Sequence, residues 1–308
     1  MAWGALAHER PPWMRVRMPT PGSRYAELEG ILRGDGLHSV CEEARCPNIG
    51  ECFGRGTATF QIMGDTCTRA CRYCAVLSGK HGDPLDPLEP GKVASAAARM
   101  GLSHVVVTSV DRDDLPDRGA EHWAKTIRAL RRRLPDATVE VLTPDFLGQE
   151  EQALATVLEA GPDVFNHNIE TCRRIQPKVR IKGDYERALA LLRRAREMWS
   201  ERYPERGPLL TKSGIVAGMG ETDDEIIEIM RDLRAHDVDV VTIGQYLQPS
   251  PRHLPLDRWV PLESFRRFRE EGEAMGFGSV FSGPLVRSSY RAEEQQLAAT
   301  GALRAASL

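Results

Sequence analysis

Short apolar runs rich in β-branched residues alternate with longer amphipathic stretches along most of this 308-residue chain. Seven of the runs are typical of strands: Thr59–Met63, His104–Thr108, Val139–Leu142, Val164–His167, Thr211–Val216, Asp239–Ile243 and Ser279–Ser282. Six stretches between them predict helices: Lys92–Met100, Ala120–Leu134, Gln149–Glu159, Asp184–Trp199, Asp223–Ala235 and Glu263–Met275. The alternation favours βαβ units and a parallel sheet, arranged as a full or partial barrel or as a doubly wound open sheet.

A group of three cysteines, the second triad, follows the first predicted strand, where parallel barrels carry their chemistry. Its members, Cys67, Cys71 and Cys74, are separated by three and then two residues. Three thiolates on a short loop can hold three irons of a [4Fe–4S] cluster and leave the fourth iron open to a substrate or cofactor. The alternatives are a zinc knuckle, which usually needs four ligands in paired arms, or cysteines buried as core.

An earlier group, the first triad, consists of Cys41, Cys46 and Cys52, with gaps of four and five residues. It implies a second cluster and lies in a segment with glycine and proline breakers, which predicts a loop. The seventh cysteine, Cys172, belongs to neither group. This many cysteines in a long chain without a disulfide-like pattern favours metal or redox use.

Charge and hydropathy limit the classes of partner. The formal net charge is 41 − 44 = −3, which gives no electrostatic reason to bind nucleic acid. No run of 18 or more apolar residues is present, so we expect no membrane span. The first residues lack the apolar core of a secretory signal, and we therefore expect a cytoplasmic protein.

The second triad, C-x3-C-x-aromatic-C after a first barrel strand, resembles the motif of radical S-adenosylmethionine (SAM) enzymes. The first triad, C-E-E-A-R-C-P-N-I-G-E-C, resembles the lipoyl synthase family within that superfamily. Further motifs of that family occur in this chain in the same order, and together they span nearly its whole length. The similarity continues through Pro11–Arg17, Thr108–Leu115, His167–Thr171, Lys212–Ile215, Thr242–Ser250 and Gly283–Tyr290.

The resemblance implies a fold and an activity. The expected fold is a partial parallel (β/α)6-type, TIM-like barrel at 57–276, with a cluster-binding extension at 1–56 and a segment at 277–308 that closes onto the auxiliary cluster. The expected activity is radical SAM-dependent insertion of two sulfur atoms at C6 and C8 of a protein-bound octanoyl-lysine, which gives the lipoyl cofactor. In this family the auxiliary [4Fe–4S] cluster is the sulfur donor, and SAM cleavage yields the radical that abstracts hydrogen.

The resemblance also assigns roles to residues. The second triad is expected to hold the cluster that binds SAM, and the first triad is expected to hold the auxiliary cluster together with a serine of R-S-S-Y. The family pattern favours Ser289 over Ser288 as that ligand. Contacts with SAM are expected at Tyr73, Thr108, Ser109, Asp111, Asn168, Glu170 and Lys212.

Partners follow from the same resemblance. They are an octanoylated carrier, either the E2 domain of a 2-oxoacid dehydrogenase or the glycine-cleavage H protein, an electron donor such as ferredoxin or flavodoxin, and a cluster-assembly carrier. Three alternatives stay open: another radical SAM enzyme with an auxiliary cluster, a two-cluster electron carrier and a zinc-stabilised binding module. By position alone, the D-R-D-D run containing Asp111 is equally consistent with a self-paired group of charges.

Overall fold

The computed structural model describes residues 9–15, 24–44, 46–54 and 58–306. The strands in these residues are β1 (His38–Ser39), β2 (Thr59–Ile62), β3 (Thr66–Cys67), β4 (Leu77–Ser78), β5 (His104–Ser109), β6 (Thr138–Leu142), β7 (Val164–Asn166), β8 (Leu210–Ala217), β9 (Val240–Gln245) and β10 (Ser279–Ser282). The helices are α1 (Arg24–Gly34), α2 (Val40–Glu43), α3 (Ile49–Gly54), α4 (Glu89–Arg99), α5 (Ala120–Arg133), α6 (Glu150–Glu159), α7 (Gln176–Val179), α8 (Tyr185–Arg202), α9 (Asp223–Ala235), α10 (Leu262–Ala274) and α11 (Ala292–Ala306).

The main sheet is a partial barrel. Its strand order is β1-β2-β5-β6-β7-β8-β9-β10, and all neighbours pair in parallel except β1 and β2. The order follows the sequence without the reversal that a doubly wound sheet requires. The edge strands β1 and β10 are not hydrogen-bonded to each other in the described chain, so the barrel is open on one side. The predicted partial parallel barrel is therefore confirmed.

Local signals place the outer helices where the sequence predicts them. At the start of α9, the Thr222 hydroxyl accepts from the amide of Glu225 at 3.1 Å, and the Glu225 carboxylate accepts from the Thr222 amide at 2.9 Å. At the start of α8, the Asp184 carboxylate accepts from the amide of Arg187 at 2.7 Å. These caps satisfy amides that the first helical turn leaves without partners, and they fix the helix starts.

One continuous hydrophobic core joins the parts of the chain. It includes Leu28 of α1, the inner faces of the barrel helices and Val280 of β10. Residues from all three predicted segments therefore pack together. The predicted N-terminal extension contributes Met14, which is 1% exposed, whereas its residues 1–8 and 16–23 lie outside the described residues.

Two regions differ from the sequence-based expectation. The first-triad segment, predicted as a loop, contains α2 and α3. The C-terminal α11 was not predicted, because its buried side is made by small residues and carries no apolar stripe. Ala299 of α11 contacts Val164, Leu210 and Val240, the first residues of three strands, so this helix covers the amino end of the barrel. No helix in the described ranges is long and apolar enough to cross a membrane.

Candidate functional site

A cavity of about 350 Å³ opens at the carboxyl ends of the barrel strands. It is lined by five of the six triad cysteines, by polar residues that follow β5 and β7, and by the C-terminal segment after β10. Cys52 does not line it but lies on α3; the pKa of the Cys41 thiol is raised mainly by burial, and Cys46 and Cys52 add to the shift. The cavity has the size and position of a ligand site in a barrel enzyme.

The second-triad loop is closed by a two-stranded ladder and tied to the loop after β5. Thr66 and Cys67 of β3 pair with β4, and Gly79 donates its amide to the Cys67 carbonyl at 2.9 Å. Thr68 donates both its amide and its hydroxyl to the Asp111 carbonyl, at 2.9 and 3.0 Å. These hydrogen bonds fix the conformation of the second-triad loop relative to the loop after β5.

Arg69, which the sequence analysis did not single out, neutralises the acidic run. Its guanidinium bonds to Asp113 at 2.9 and 3.0 Å, to Asp145 at 2.6 Å, and lies 3.3 Å from Asp111. The side chain is 4% exposed. The D-R-D-D run is therefore largely a buried, ion-paired structure that anchors the second triad. Asp111 still lines the cavity, 3.6 Å from the Cys67 sulfur.

The first triad and the C-terminal segment meet although they are far apart in sequence. The buried Asn48 side chain donates to the Leu285 carbonyl, a contact between residues 237 positions apart. The Tyr290 hydroxyl donates to Glu51 at 3.1 Å, on the same side of the molecule. These contacts place the R-S-S-Y element beside Cys46, which with Arg287 and Ser289 lines the cavity.

The two serines of R-S-S-Y have different surroundings. The Ser288 hydroxyl donates to the Asn168 side-chain oxygen at 2.9 Å, so it is engaged with the loop after β7. Ser289 also lines the cavity and makes no side-chain hydrogen bond within the described residues. Its hydroxyl is therefore the one available to a ligand on the first-triad side.

Two inward-facing glycines let the C-terminal segment enter the barrel. A Cβ at Gly244 of β9 would overlap the Val286 carbonyl oxygen, and one at Gly214 of β8 would lie 2.6 Å from the Asn168 oxygen and 2.8 Å from the Ser288 hydroxyl. Any larger residue would push the segment out.

Glu170 is held in a strained backbone conformation beside the second triad. Its φ is 72°, which is uncommon for a residue with a side chain, and its amide and carbonyl are fixed by Gly214 and Val216 of β8 at 2.9 and 2.8 Å. Burial raises the pKa of its carboxyl, while Arg180 and hydrogen bonds from Asn168 and Tyr73 oppose the shift. The predicted residues Tyr73, Asn168 and Glu170 thus form one connected group on the cavity wall.

Arg180 is a second cation that the sequence analysis did not identify. It donates to the Asn168 carbonyl at 2.6 Å and to His167 Nε2 at 3.3 Å. His167 in turn donates from Nδ1 to the Thr143 carbonyl at 2.8 Å, and burial, with Arg180, lowers its pKa to about 3. The histidine is therefore neutral and orients the guanidinium. A motif search for carboxylates and hydroxyls misses such a residue, because Arg180 lies on no predicted strand.

Thr108 and Ser109 lie where the sequence predicts, on the cavity wall at the end of β5. Thr108 donates its hydroxyl to the Leu142 carbonyl at 3.0 Å, and Ser109 donates to the Val110 carbonyl at 2.9 Å. With the donor of each hydroxyl used, the oxygens retain lone pairs that can accept from a ligand ammonium.

Lys212 corrects an expectation. It does not line the cavity but lies lower in the barrel, 1% exposed, with its ammonium 2.8 and 3.0 Å from the Glu140 carboxylate oxygens. Asn166 also donates to Glu140 at 2.9 Å. Burial raises the pKa of Glu140, but the charge of Lys212 outweighs it and brings the pKa to about 2. Lys212 is therefore the partner of a buried carboxylate rather than a cavity contact.

Lys212→Met is expected to lower the free energy of unfolding by about 3–5 kcal/mol, because it leaves the Glu140 carboxylate buried without the ammonium that balances its charge. The double variant Lys212→Met/Glu140→Leu should recover most of that loss. Urea unfolding of the metal-free chain measures both values. A single variant that unfolds like the wild type but binds SAM more weakly would return Lys212 to the cofactor site.

The cysteines fit a cluster better than a single ion. In the described ranges, no three Cys, His, Asp or Glu side chains converge tightly enough to hold one metal ion. The thiols are free of disulfides, and those of the second triad surround open space at the cavity wall. Burial raises the pKa of Cys67 and Cys71 to about 12, and that of Cys74 to about 11, so metal binding must displace their protons. A polynuclear cluster, whose irons take one thiolate each, suits this donor set.

Comparison with known proteins agrees with this geometry. Residues 62–233 match the family model of the radical SAM superfamily. The lipoyl synthase of Rubrobacter xylanophilus is 53% identical over 288 residues, which cover 94% of this chain and 87% of that protein. The lipoyl synthase of Thermus thermophilus is 52% identical over 292 residues, which cover 94% and 88%.

Among solved structures, methylornithine synthase aligns with a TM-score of 0.51 at 16% identity. The alignment covers 87% of this chain and 84% of that one. At this identity the likeness concerns the fold alone, and it agrees with the open parallel barrel described above.

Proposed function

Because this chain belongs to the lipoyl synthase family of the radical SAM superfamily, we propose that it inserts sulfur at C6 and C8 of an octanoyl group held on a lysine of a carrier protein. It is a sulfur-inserting enzyme, a sulfurtransferase, and it uses SAM and two [4Fe–4S] clusters. The observation that supports the proposal most is that members of both triads and Ser289 face one cavity.

In this proposal Cys67, Cys71 and Cys74 hold the SAM cluster. The first triad (Cys41, Cys46, Cys52) and Ser289 hold the auxiliary cluster. When bound, these groups supply the hydrogen-abstracting and sulfur-donating chemistry, and the protein positions and shields them. The free hydroxyl of Ser289 supports its assignment over Ser288, which already donates to Asn168. An oxygen ligand is less well matched than a thiolate to the soft, sulfur-rich coordination of an iron–sulfur cluster, so this bond can open when sulfur leaves.

Polar residues on the opposite wall would bind SAM. Arg180 is oriented by His167 and lies where it can pair with a carboxylate, and Asp111, Thr108 and Ser109 offer acceptors for an ammonium. Asn168, Glu170 and Tyr73 complete the wall and offer hydrogen bonds to hydroxyl or adenine groups.

The barrel also limits access of water to the reacting centre. Tyr246, 2% exposed, donates its hydroxyl to the Leu254 carbonyl at 2.7 Å and holds the loop after β9 across one side of the cavity. A site that generates a reactive carbon centre needs such enclosure, because the centre must be kept from side reactions.

The division into an extension (1–56), a barrel (57–276) and a closing segment (277–308) remains part of the proposal. It is supported by the contacts that join Asn48 to Leu285 and Glu51 to Tyr290. The substrate is an octanoylated carrier protein, and a reductant is required. We propose the E2 lipoyl domain or the glycine-cleavage H protein as carrier, ferredoxin or flavodoxin as donor, a cluster-assembly carrier for repair, and a cytoplasmic location without nucleic acid or membrane partners.

The proposed function is tested by anaerobic reconstitution followed by assay with an octanoyl-lysyl peptide, SAM and dithionite. About eight irons per chain and a peptide that carries sulfur at C6 and C8 are expected, because each cluster contains about four irons. About four irons, with SAM cleavage but no sulfur insertion, would remove the sulfur-donor role from the first triad. A colourless protein that binds zinc would overturn the proposal.

A further inference from the structure

Three segments meet at one side of the cavity mouth. The amide of Arg72, in the second-triad loop, donates to the Val179 carbonyl of α7 at 2.8 Å. The amide of Leu254, in the loop after β9, donates to the Arg72 carbonyl at 2.8 Å. The neighbours Cys71 and Arg180 line the cavity, so this backbone junction forms part of its rim.

The rim carries three cations without carboxylate partners. Arg72, Lys178 and Arg252 are all exposed, and none of their side chains makes an ion pair or hydrogen bond with another described residue. Each lies within two residues of the junction. Ile181, an apolar residue that is 39% exposed, follows Lys178 by three residues.

The sequence also contains two arginine runs, at 131–133 in α5 and at 193–196 in α8, and they do not supply free charge at the rim. Arg131 of α5 donates to the Gly161 carbonyl and pairs with Asp163 at 2.6 Å, at the amino end of the barrel and away from the cavity mouth. The three arginines at positions 193–196 of α8 are likewise engaged with neighbouring acids and carbonyls: Arg193 with Ala235, Arg194 with Glu151 and Arg196 with Asp239. The free positive charge near the cavity is therefore at the rim.

We propose that Arg72, Lys178 and Arg252, with Ile181, form the docking surface for an acidic face of the carrier domain around its octanoyl-lysine. The inference rests on the proposed function, in which the acyl chain stays attached to a protein while its far end enters the cavity. That protein must lie against the mouth. The chain as a whole is net negative, so three unpaired cations at this rim select an acidic partner and orient it.

The test compares two substrates with one charge-reversal variant, R72E/K178E/R252E. We expect the ratio of KM for an octanoylated carrier domain to KM for an octanoyl-lysyl peptide to rise roughly tenfold, because three favourable contacts become repulsive. The ratio for the wild type should also rise with ionic strength, and in the variant it should fall instead, because salt screens the new repulsion. The matched control is R132E/R202E/R269E, which makes the same change in net charge at exposed cations of the outer helices and should keep the wild-type ratio.

The outcomes separate the two proposals. If the wild type inserts sulfur into neither substrate, the proposed function fails. If it acts on both and the rim variant keeps the control's ratio, the docking surface is wrong. An equal rise in the ratio for both variants would show a general charge effect and would also overturn the docking surface.

Discussion

Cys46→Ala is expected to stop sulfur insertion while leaving most SAM cleavage in place, whereas Cys67→Ala is expected to abolish both. The two residues line the same cavity but belong to different triads. Cys46 lies on the side formed by the first triad and Arg287, and Cys67 is anchored with Asp111 after β5. Loss of one thiolate should therefore remove one cluster and spare the other.

Two product measurements distinguish the triads. 5′-Deoxyadenosine reports SAM cleavage, and mass spectrometry of the octanoyl peptide reports sulfur insertion. Iron per chain should fall from about eight to about four in either variant. Cys172→Ala is the control, because this cysteine is buried outside the cavity lining and should alter neither product. A thiolated peptide produced by the Cys46 variant would exclude the first triad as sulfur donor.

The architecture could be predicted from sequence because its signals are local. Each predicted barrel strand and helix is present with ends within three residues of the prediction, as with Val139–Leu142, which the structure extends to Thr138. Helix α4 begins earlier than predicted, at Glu89, because Pro90 is tolerated in a first helical turn. The regular alternation of apolar strand-like runs with amphipathic helical stretches is enough to predict a parallel barrel. It also places the second triad at the carboxyl ends of the strands.

The site was only partly predictable, because its charges are balanced by residues distant in sequence. Arg69 and Arg180 become evident only when folding brings them against Asp145 and His167. Arg69 and Arg180 were missed, whereas Lys212 was predicted to contact SAM and lies away from the cavity. Its motif resembles one that lines the cavity, but its place in β8 puts its side chain low in the barrel, where it meets Glu140. Sequence pattern assigns a residue to a strand more reliably than to a layer within the barrel.

The C-terminal segment packs closely against β9 through backbone contacts. The Gly283 amide donates to the Ile243 carbonyl at 3.0 Å, and the Gln245 amide donates to the Pro284 carbonyl at 3.3 Å. Between these two bonds, Gly244 presents only hydrogen to the Val286 carbonyl. The obstacle to a larger side chain is backbone, which cannot rotate away as a flexible side chain can.

Gly244→Ala is therefore expected to displace residues 284–289, move Ser289 away from the first triad and lower the rate of sulfur insertion about 100-fold, since a shift of about 1 Å is enough for such a loss. Mössbauer spectra should show altered iron in the first-triad cluster, and SAM cleavage should persist. Gly283→Ala is the matched control, because its added carbon would meet Val286 at 3.5 Å, an ordinary contact. Unchanged sulfur insertion in Gly244→Ala would mean that the fourth ligand does not depend on this close approach. That result would contradict the proposal that the close approach at Gly244 positions Ser289 as the fourth ligand.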